Sequence, residues 1–153
     1  MRLTPSRLNR YTFFKLPAAW WCGVRVVSLN EHKCITVVRL QWMNKNPFRS
    51  MFWAVQGMAA ELSTGVLLMN IVQQEEKNVS MLLLQSKATF TKKAKGKIEF
   101  SCDAGELVSS TMKRLFENDG PQTLWLQSKG IDSQGDCVAT FDFEWTLLEK
   151  KIK

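Results

Sequence analysis

Histidine and paired cysteine are what this chain of 153 residues most conspicuously lacks. It has one histidine, His32, and four scattered cysteines, Cys22, Cys34, Cys102 and Cys137, none of them in a C-x-x-C pair. A single histidine excludes Ser-His-Asp or Cys-His catalysis unless His32 carries it. His32 falls in Asn30-Glu31-His32, which reads as an exposed turn between two apolar runs. A structural zinc site needs four Cys or His ligands at tight local spacing, and the sequence offers none, so no metal is expected. A disulfide framework is not needed either, because a domain of this length buries roughly 70% of the surface its unfolded chain exposes. The cysteines therefore read as buried thiols in a reducing compartment, and the expected location is cytoplasmic.

Long uninterrupted hydrophobic runs are also missing. The apolar stretch at residues 11–22 follows Arg2, Arg7 and Arg10, but Lys15 and Pro17 break it and strand-like sequence follows without a spacer. It reads as a folded N-terminal helical segment (1–22) rather than an export signal. The apolar stretch at residues 51–72 contains Gln56, Glu61 and Asn70. A carboxylate at mid-span costs about 2.5–3.5 kcal/mol on insertion scales, which argues against membrane insertion. Acidic residues are short: Lys+Arg number 21 against 14 Asp+Glu, a net charge of +7. A basic surface favours anionic partners such as nucleic acid, lipid headgroups or a phosphorylated small molecule. The six Trp are not interleaved with Lys and Arg as on a single-strand platform, and no nucleic-acid motif is present, so nucleic acid is not expected as a partner.

What is there is ordinary globular composition, 45% hydrophobic and 23% charged. One domain over 1–153 is the expectation. Residues 5–21 suggest one or two short helical turns. Residues 23–29 and 33–42 read as strands, the second with Cys34, Thr36, Val38, Leu40 and Trp42 on one face. After the loop at 44–47, Ser50 is a plausible N-cap for a long helix over about 51–69. That helix is apolar nearly all round, which predicts a helix enclosed by the rest of the protein. Strands follow at 79–91 and 97–102, the second with Ile98, Phe100 and Cys102 on one face. Helical spacing at Leu107, Val108, Met112 and Leu115 predicts a helix over 105–116. A hairpin ends the chain, strands at 123–131 and 137–147 joined by the turn at 132–135, and residues 150–153 form a basic tail expected to fray. Strands arranged around one buried helix mean an α+β fold with an antiparallel sheet.

The stretch Asn46-Pro47-Phe48-Arg49-Ser50-Met51-Phe52-Trp53-Ala54, then six residues, then Glu61, resembles the signature of the PaaI-like acyl-CoA thioesterases of the hotdog-fold superfamily. That signature runs Asn, two residues, Gly, two residues, His-Gly-Gly, six residues, Asp or Glu. Asn46 and Glu61 match it. Arg49 stands at the first Gly, Phe52 at the His, and Trp53-Ala54 at Gly-Gly. Residues 87–98 resemble the family's third and fourth strands, and residues 130–139 its last hairpin. The resemblance spans about residues 20–150. It is strongest to an uncharacterised branch, a domain of unknown function, that lacks the His and has no assigned reaction.

The resemblance implies a hotdog fold, a curved antiparallel sheet wrapped around the long helix. It implies a homodimer or tetramer, and an acyl-CoA or other acyl thioester hydrolysed or bound at a dimer-interface site. Coenzyme A enters only as part of the substrate, and no separate cofactor is implied. The alternative is a non-catalytic acyl-binding or structural hotdog dimer. Hydrolysis needs a base to activate water and a donor for the carbonyl oxygen. Glu61 is the candidate base; the other reading of it is a carboxylate hydrogen-bonded to Gln56, Gln41 or Asn46. Asn46 either orients the water or is an ordinary turn residue. Backbone N–H groups of Trp53 and Ala54 at the helix start are the candidate oxyanion donors, with Phe52 and Trp53 flanking an apolar tunnel. Arg49 can bind phosphate or carboxylate, or an acid on a partner chain. Lys92, Lys93 and Lys95 form either a clamp on coenzyme A phosphates or a solvated hairpin tip.

Overall fold

Proline placement shapes the N-terminus. Pro5 and Pro17 each occupy the first turn of a helix, where a missing N–H is harmless. In the computed structural model, which describes residues 3–75 and 77–150, they open α1 (Pro5–Lys15) and α2 (Pro17–Trp21). Thr4 caps α1 by accepting from the Arg7 N–H at 3.4 Å. An eleven-residue α1 exceeds the short turns that the sequence suggests. Residues 151–153 of the basic tail lie outside the described residues.

The remaining elements are β1 (Arg25–Leu29), β2 (Cys34–Arg39), a short 3-10 turn (Trp42–Asn44), α3 (Trp53–Val72), β3 (Val79–Phe90), β4 (Lys97–Cys102), α4 (Gly105–Glu117), β5 (Gln122–Asp132) and β6 (Cys137–Glu149). The six strands form one antiparallel sheet in the order β1-β2-β4-β5-β6-β3. The period-2 pattern sets the face: Ile98, Phe100 and Cys102 of β4 and Phe141, Phe143, Trp145 and Leu147 of β6 are buried as the alternation requires. α3 lies on that face against β1, β2, β4, β5 and β6, and α4 packs beside it through Val108, Met112 and Leu115. α3 is the one helix among the described residues long and apolar enough to cross a membrane, and most of it is buried in the fold.

Hydroxyls pin α3 to the sheet. Thr36 Oγ1 donates to the Ala59 carbonyl at 2.7 Å, Trp145 Nε1 donates to Thr64 Oγ1 at 3.2 Å, and the Ser63 and Ser128 hydroxyls share a hydrogen bond at 2.8 Å. Gly130 lets β5 approach closely, since a Cβ there would come within 2.5 Å of the Phe100 ring.

The two sheet edges are treated differently. At β1 the Asn9 side chain of α1 acts as a substitute strand: its Nδ2 donates to the Val26 carbonyl at 2.8 Å and its Oδ1 accepts from the Val26 N–H at 2.9 Å. At the far edge β3 pairs with β6 only, and it exposes Leu82, Leu84 and Phe90.

Three local expectations fail for identifiable reasons. α3 begins at Trp53, not 51, because the Met51 N–H is drawn to the Ala94 carbonyl at 2.9 Å and Met51 bridges to Lys45. Ser50 is not the N-cap, because its hydroxyl is engaged by Asn46. The second strand ends at Arg39 rather than 42, so Trp42 falls in the 3-10 turn after it and is exposed. Cys34 and Cys102 face each other across β2 and β4 as buried thiols, with burial pushing their pKa values up to about 12 and about 11, whereas Cys22 and Cys137 are half-buried.

Candidate functional site

The loop that leads into α3 is organised by Asn46. Its Oδ1 accepts from the Phe48 N–H at 2.9 Å, the Ser50 N–H at 3.2 Å and the Ser50 hydroxyl at 3.3 Å, and its Nδ2 donates to Ser50 Oγ at 3.1 Å. The turn forces Arg49 to φ 59°, the left-handed region that favours glycine. Arg49 thus fills a conformation that the family signature assigns to Gly, at a cost of about 1–2 kcal/mol. Its side chain is exposed.

Beyond the loop, α3 starts without a side-chain cap. The Val55 and Gln56 N–H groups bond back to the Phe52 carbonyl at 3.0 and 3.3 Å, while those of Trp53 and Ala54 find no partner among the described residues. These free donors sit at the positive end of a 20-residue helix. Phe52 and Trp53 stand half out of the surface, edge to face at 5.9 Å.

Trp53 borders a cleft of about 380 Å³ shared with Asn46, Gln56, Thr91, Lys92 and Lys93. Two of its walls come from elements far apart in sequence, because the residues before α3 and those after β3 meet where Met51 bonds to Ala94. Gln56 is 4% exposed and lines this cleft. Its Nε2 donates to the Met51 carbonyl at 3.3 Å, which fixes the amide's orientation, and its Oε1 has no partner among the described residues. A buried acceptor left unpaired costs about 1–3 kcal/mol, so Gln56 is poised for a donor. The sequence shows Gln56 only as a possible neighbour of Glu61; its polarity in an apolar helix is the signal that could have singled it out.

Glu61 lies elsewhere. It is half-buried in a second cavity of about 240 Å³, with Lys15, Pro17, Met58 and Leu62. Its Oε1 lies over Gly65, and the carboxylate has no hydrogen bond or ion pair among the described residues. Burial alone pushes its pKa up from the ordinary glutamate value. The partners considered for it are otherwise engaged: Gln56 with Met51, Asn46 with Ser50, and Gln41 with Trp21 and Asn44. Glu61 and Trp53 are about 12 Å apart along the helix axis and line different cavities. Within one copy of the chain, base and donors do not meet. Ala54, Met58 and Glu61 are nevertheless all only half-buried, and their spacing puts them on one stripe of α3 that the fold leaves partly uncovered.

The basic turn divides. Lys92 Nζ binds Asp136 Oδ2 at 2.6 Å, Asp132 Oδ2 at 2.7 Å and Gln134 Oε1 at 3.1 Å. The hydrogen bonds to the two aspartates hold Lys92 above its ordinary pKa, and the bond from Lys92 holds Asp132 below its own. Lys92 therefore ties the turn after β3 to the β5–β6 hairpin, and its charge is already matched. Lys93 and Lys95 are exposed and form no ion pair among the described residues; only Lys93 reaches the cleft.

A family model described as "Domain of unknown function (DUF4442)" matches residues 5–147. A search of curated proteins gives no match. Solved structures give many. One is a Pseudomonas aeruginosa protein of unknown function, at 19% identity and a TM-score of 0.80 over 97% of this chain and 99% of that one. A second is a thioesterase from Haemophilus influenzae, at 13% identity and 0.76 over 97% and 93%. A third is a mutant thioesterase from Pseudomonas aeruginosa, at 10% identity and 0.76 over 98% and 97%. At these identities the likeness is one of fold, and the fold is the α+β hotdog arrangement.

Proposed function

The chain belongs to the DUF4442 family, and on that footing we propose that it binds an acyl thioester and hydrolyses it at a site shared between two copies of the chain. The observation that carries this reading is the unpaired set at the start of α3: the free N–H groups of Trp53 and Ala54, with the orphaned Gln56 acceptor in the adjoining cleft. Donors of this kind suit a thioester oxygen that gains negative charge as the carbonyl is attacked. Gln56 Oε1 accepts a hydrogen from the attacking water. Asn46 does not, since its own oxygen is saturated by the loop.

Glu61 of the partner subunit takes the water's other proton, its raised pKa suiting a general base. The water oxygen bonds to the carbonyl carbon, the tetrahedral intermediate expels sulfur, and the thiolate takes the proton back from Glu61. Acid and thiol are the products. Pairing of two copies along the open β3 edge, with the uncovered stripe of α3 turned toward the partner, supplies the missing juxtaposition. Lys93 and Lys95 then face the coenzyme A phosphates, with Arg49 as a further anion contact.

Trp53 and Phe52 favour a second reading, an acyl-binding protein without turnover, because a bulky ring at the Gly position narrows the approach to the free N–H groups. A panel of acyl-CoAs tested for both binding and thiol release separates the two. Turnover is expected, and Glu61→Gln should lower it by about 10²–10⁴-fold with binding retained. Tight binding without thiol release supports the second reading, and no binding by any member of the panel refutes both.

A further inference from the structure

A cavity larger than either of those two belongs to neither candidate site. It is a groove of about 740 Å³ between one face of α1 and the C-terminal end of α3, within the range of about 300–1,000 Å³ that accommodates small ligands. Leu8, 2% exposed, lies in its wall, with Phe14 and Met69 contributing further apolar surface. Phe14 is 69% exposed and Tyr11 48%, more aromatic surface than a short polar helix has reason to show to water. Arg7, Arg10 and Lys15 border the groove, and among the described residues no carboxylate does. Arg10 and Lys15 form no ion pair among the described residues.

We propose that this groove binds a long-chain fatty acid, its chain against Leu8, Phe14 and Met69 and its carboxylate between Arg10 and Lys15. The charge complementarity is direct: an apolar trough with cations and no acid at its border fits an apolar chain with one anionic end. The dimensions agree. Lys15 also lines the Glu61 cavity, so the two spaces adjoin, and the groove alone runs the length of α1, which rises about 15 Å from Pro5 to Lys15, enough for most of a long acyl chain. A bilayer would need a protruding face, whereas this surface is concave with a buried leucine in its wall. A second copy paired along β3 leaves the groove open, because α1 packs on β1 at the opposite end of the sheet. The ligand carries no thioester, so this proposal goes beyond the proposed reaction and is tested without turnover.

The test is titration of the full chain with a fluorescent C18 fatty acid, displaced by palmitate, beside light scattering and a vesicle assay. Wild type should bind at one saturable site. Arg10→Glu combined with Lys15→Glu, and separately Phe14→Asp, should each weaken binding at least tenfold with circular dichroism unchanged. Lys113→Glu combined with Lys150→Glu, a matched double charge reversal at exposed residues outside the groove, should bind like wild type. Glu61→Gln should also keep fatty-acid binding, so loss of thioester turnover with binding intact counts against the reaction alone. Four results overturn the proposal. One is no saturable binding by wild type, and another is equal affinity in the groove variants. The third is capture by phosphatidylglycerol vesicles without binding of monomeric fatty acid, which makes the face a membrane surface. The fourth is a lower assembly mass for Phe14→Asp, which makes it a contact between copies.

Discussion

Glu61 carries a charge that its surroundings do not balance, and that has a pH signature. At low pH both folded and unfolded chains hold the proton, so the carboxyl adds no electrostatic penalty. As pH rises through the ordinary glutamate value of about 4.3, the unfolded chain loses the proton first, because burial raises the folded pKa. The stability present in acid is lost as pH climbs through the folded value and then levels off. Glu61→Gln should therefore be more stable than wild type at pH 7, with the gap closing toward pH 4; urea melts at several pH values check this, and a pH-independent gap refutes it. Glu61 is legible in the sequence because it is the only acid in an apolar helix. Gln56 is not, since its importance lies in one oxygen that the fold leaves unpaired. Arg49 is half legible: the family signature marks its position as a glycine's, but only the backbone shows that the glycine conformation is kept.

At the scale of elements, β4 and β6 follow directly from alternation, because one face meets α3 and the other does not. The start of α3 does not follow, because the Met51–Ala94 hydrogen bond joins residues remote in sequence and overrides a plausible serine cap. The role of α1 is hidden for the same reason. Nothing in its sequence says that Asn9 will lie alongside Val26 and complete the β1 edge. Removing that clasp leaves a partly buried N–H and carbonyl without partners, so Asn9→Ala should destabilise by about 1–3 kcal/mol. Chemical denaturation should show a lowered midpoint with an unchanged slope; a midpoint equal to that of wild type would mean that water replaces the amide at no cost.

For the molecule as a whole, the α+β layout and the enclosed helix are legible because strand and helix periods are well separated in the sequence. The edge proposed for pairing is not, since the tertiary structure decides which edge stays open. β3 presents twelve residues with Leu82 and Leu84 exposed, and such an edge pairs unless it is blocked. Leu82→Lys should shift the protein toward monomer in light scattering at micromolar concentration and lower any thioesterase activity in parallel; an unchanged mass would move the contact away from β3. The Asn9 clasp now acquires another meaning. A sheet with two free edges can add copies at both ends and grow into a filament, whereas closing one edge from within gives the molecule a valence of one. In the pairing proposed through β3, each copy would then satisfy a single neighbour, and the clasp would cap assembly through the sheet at two chains.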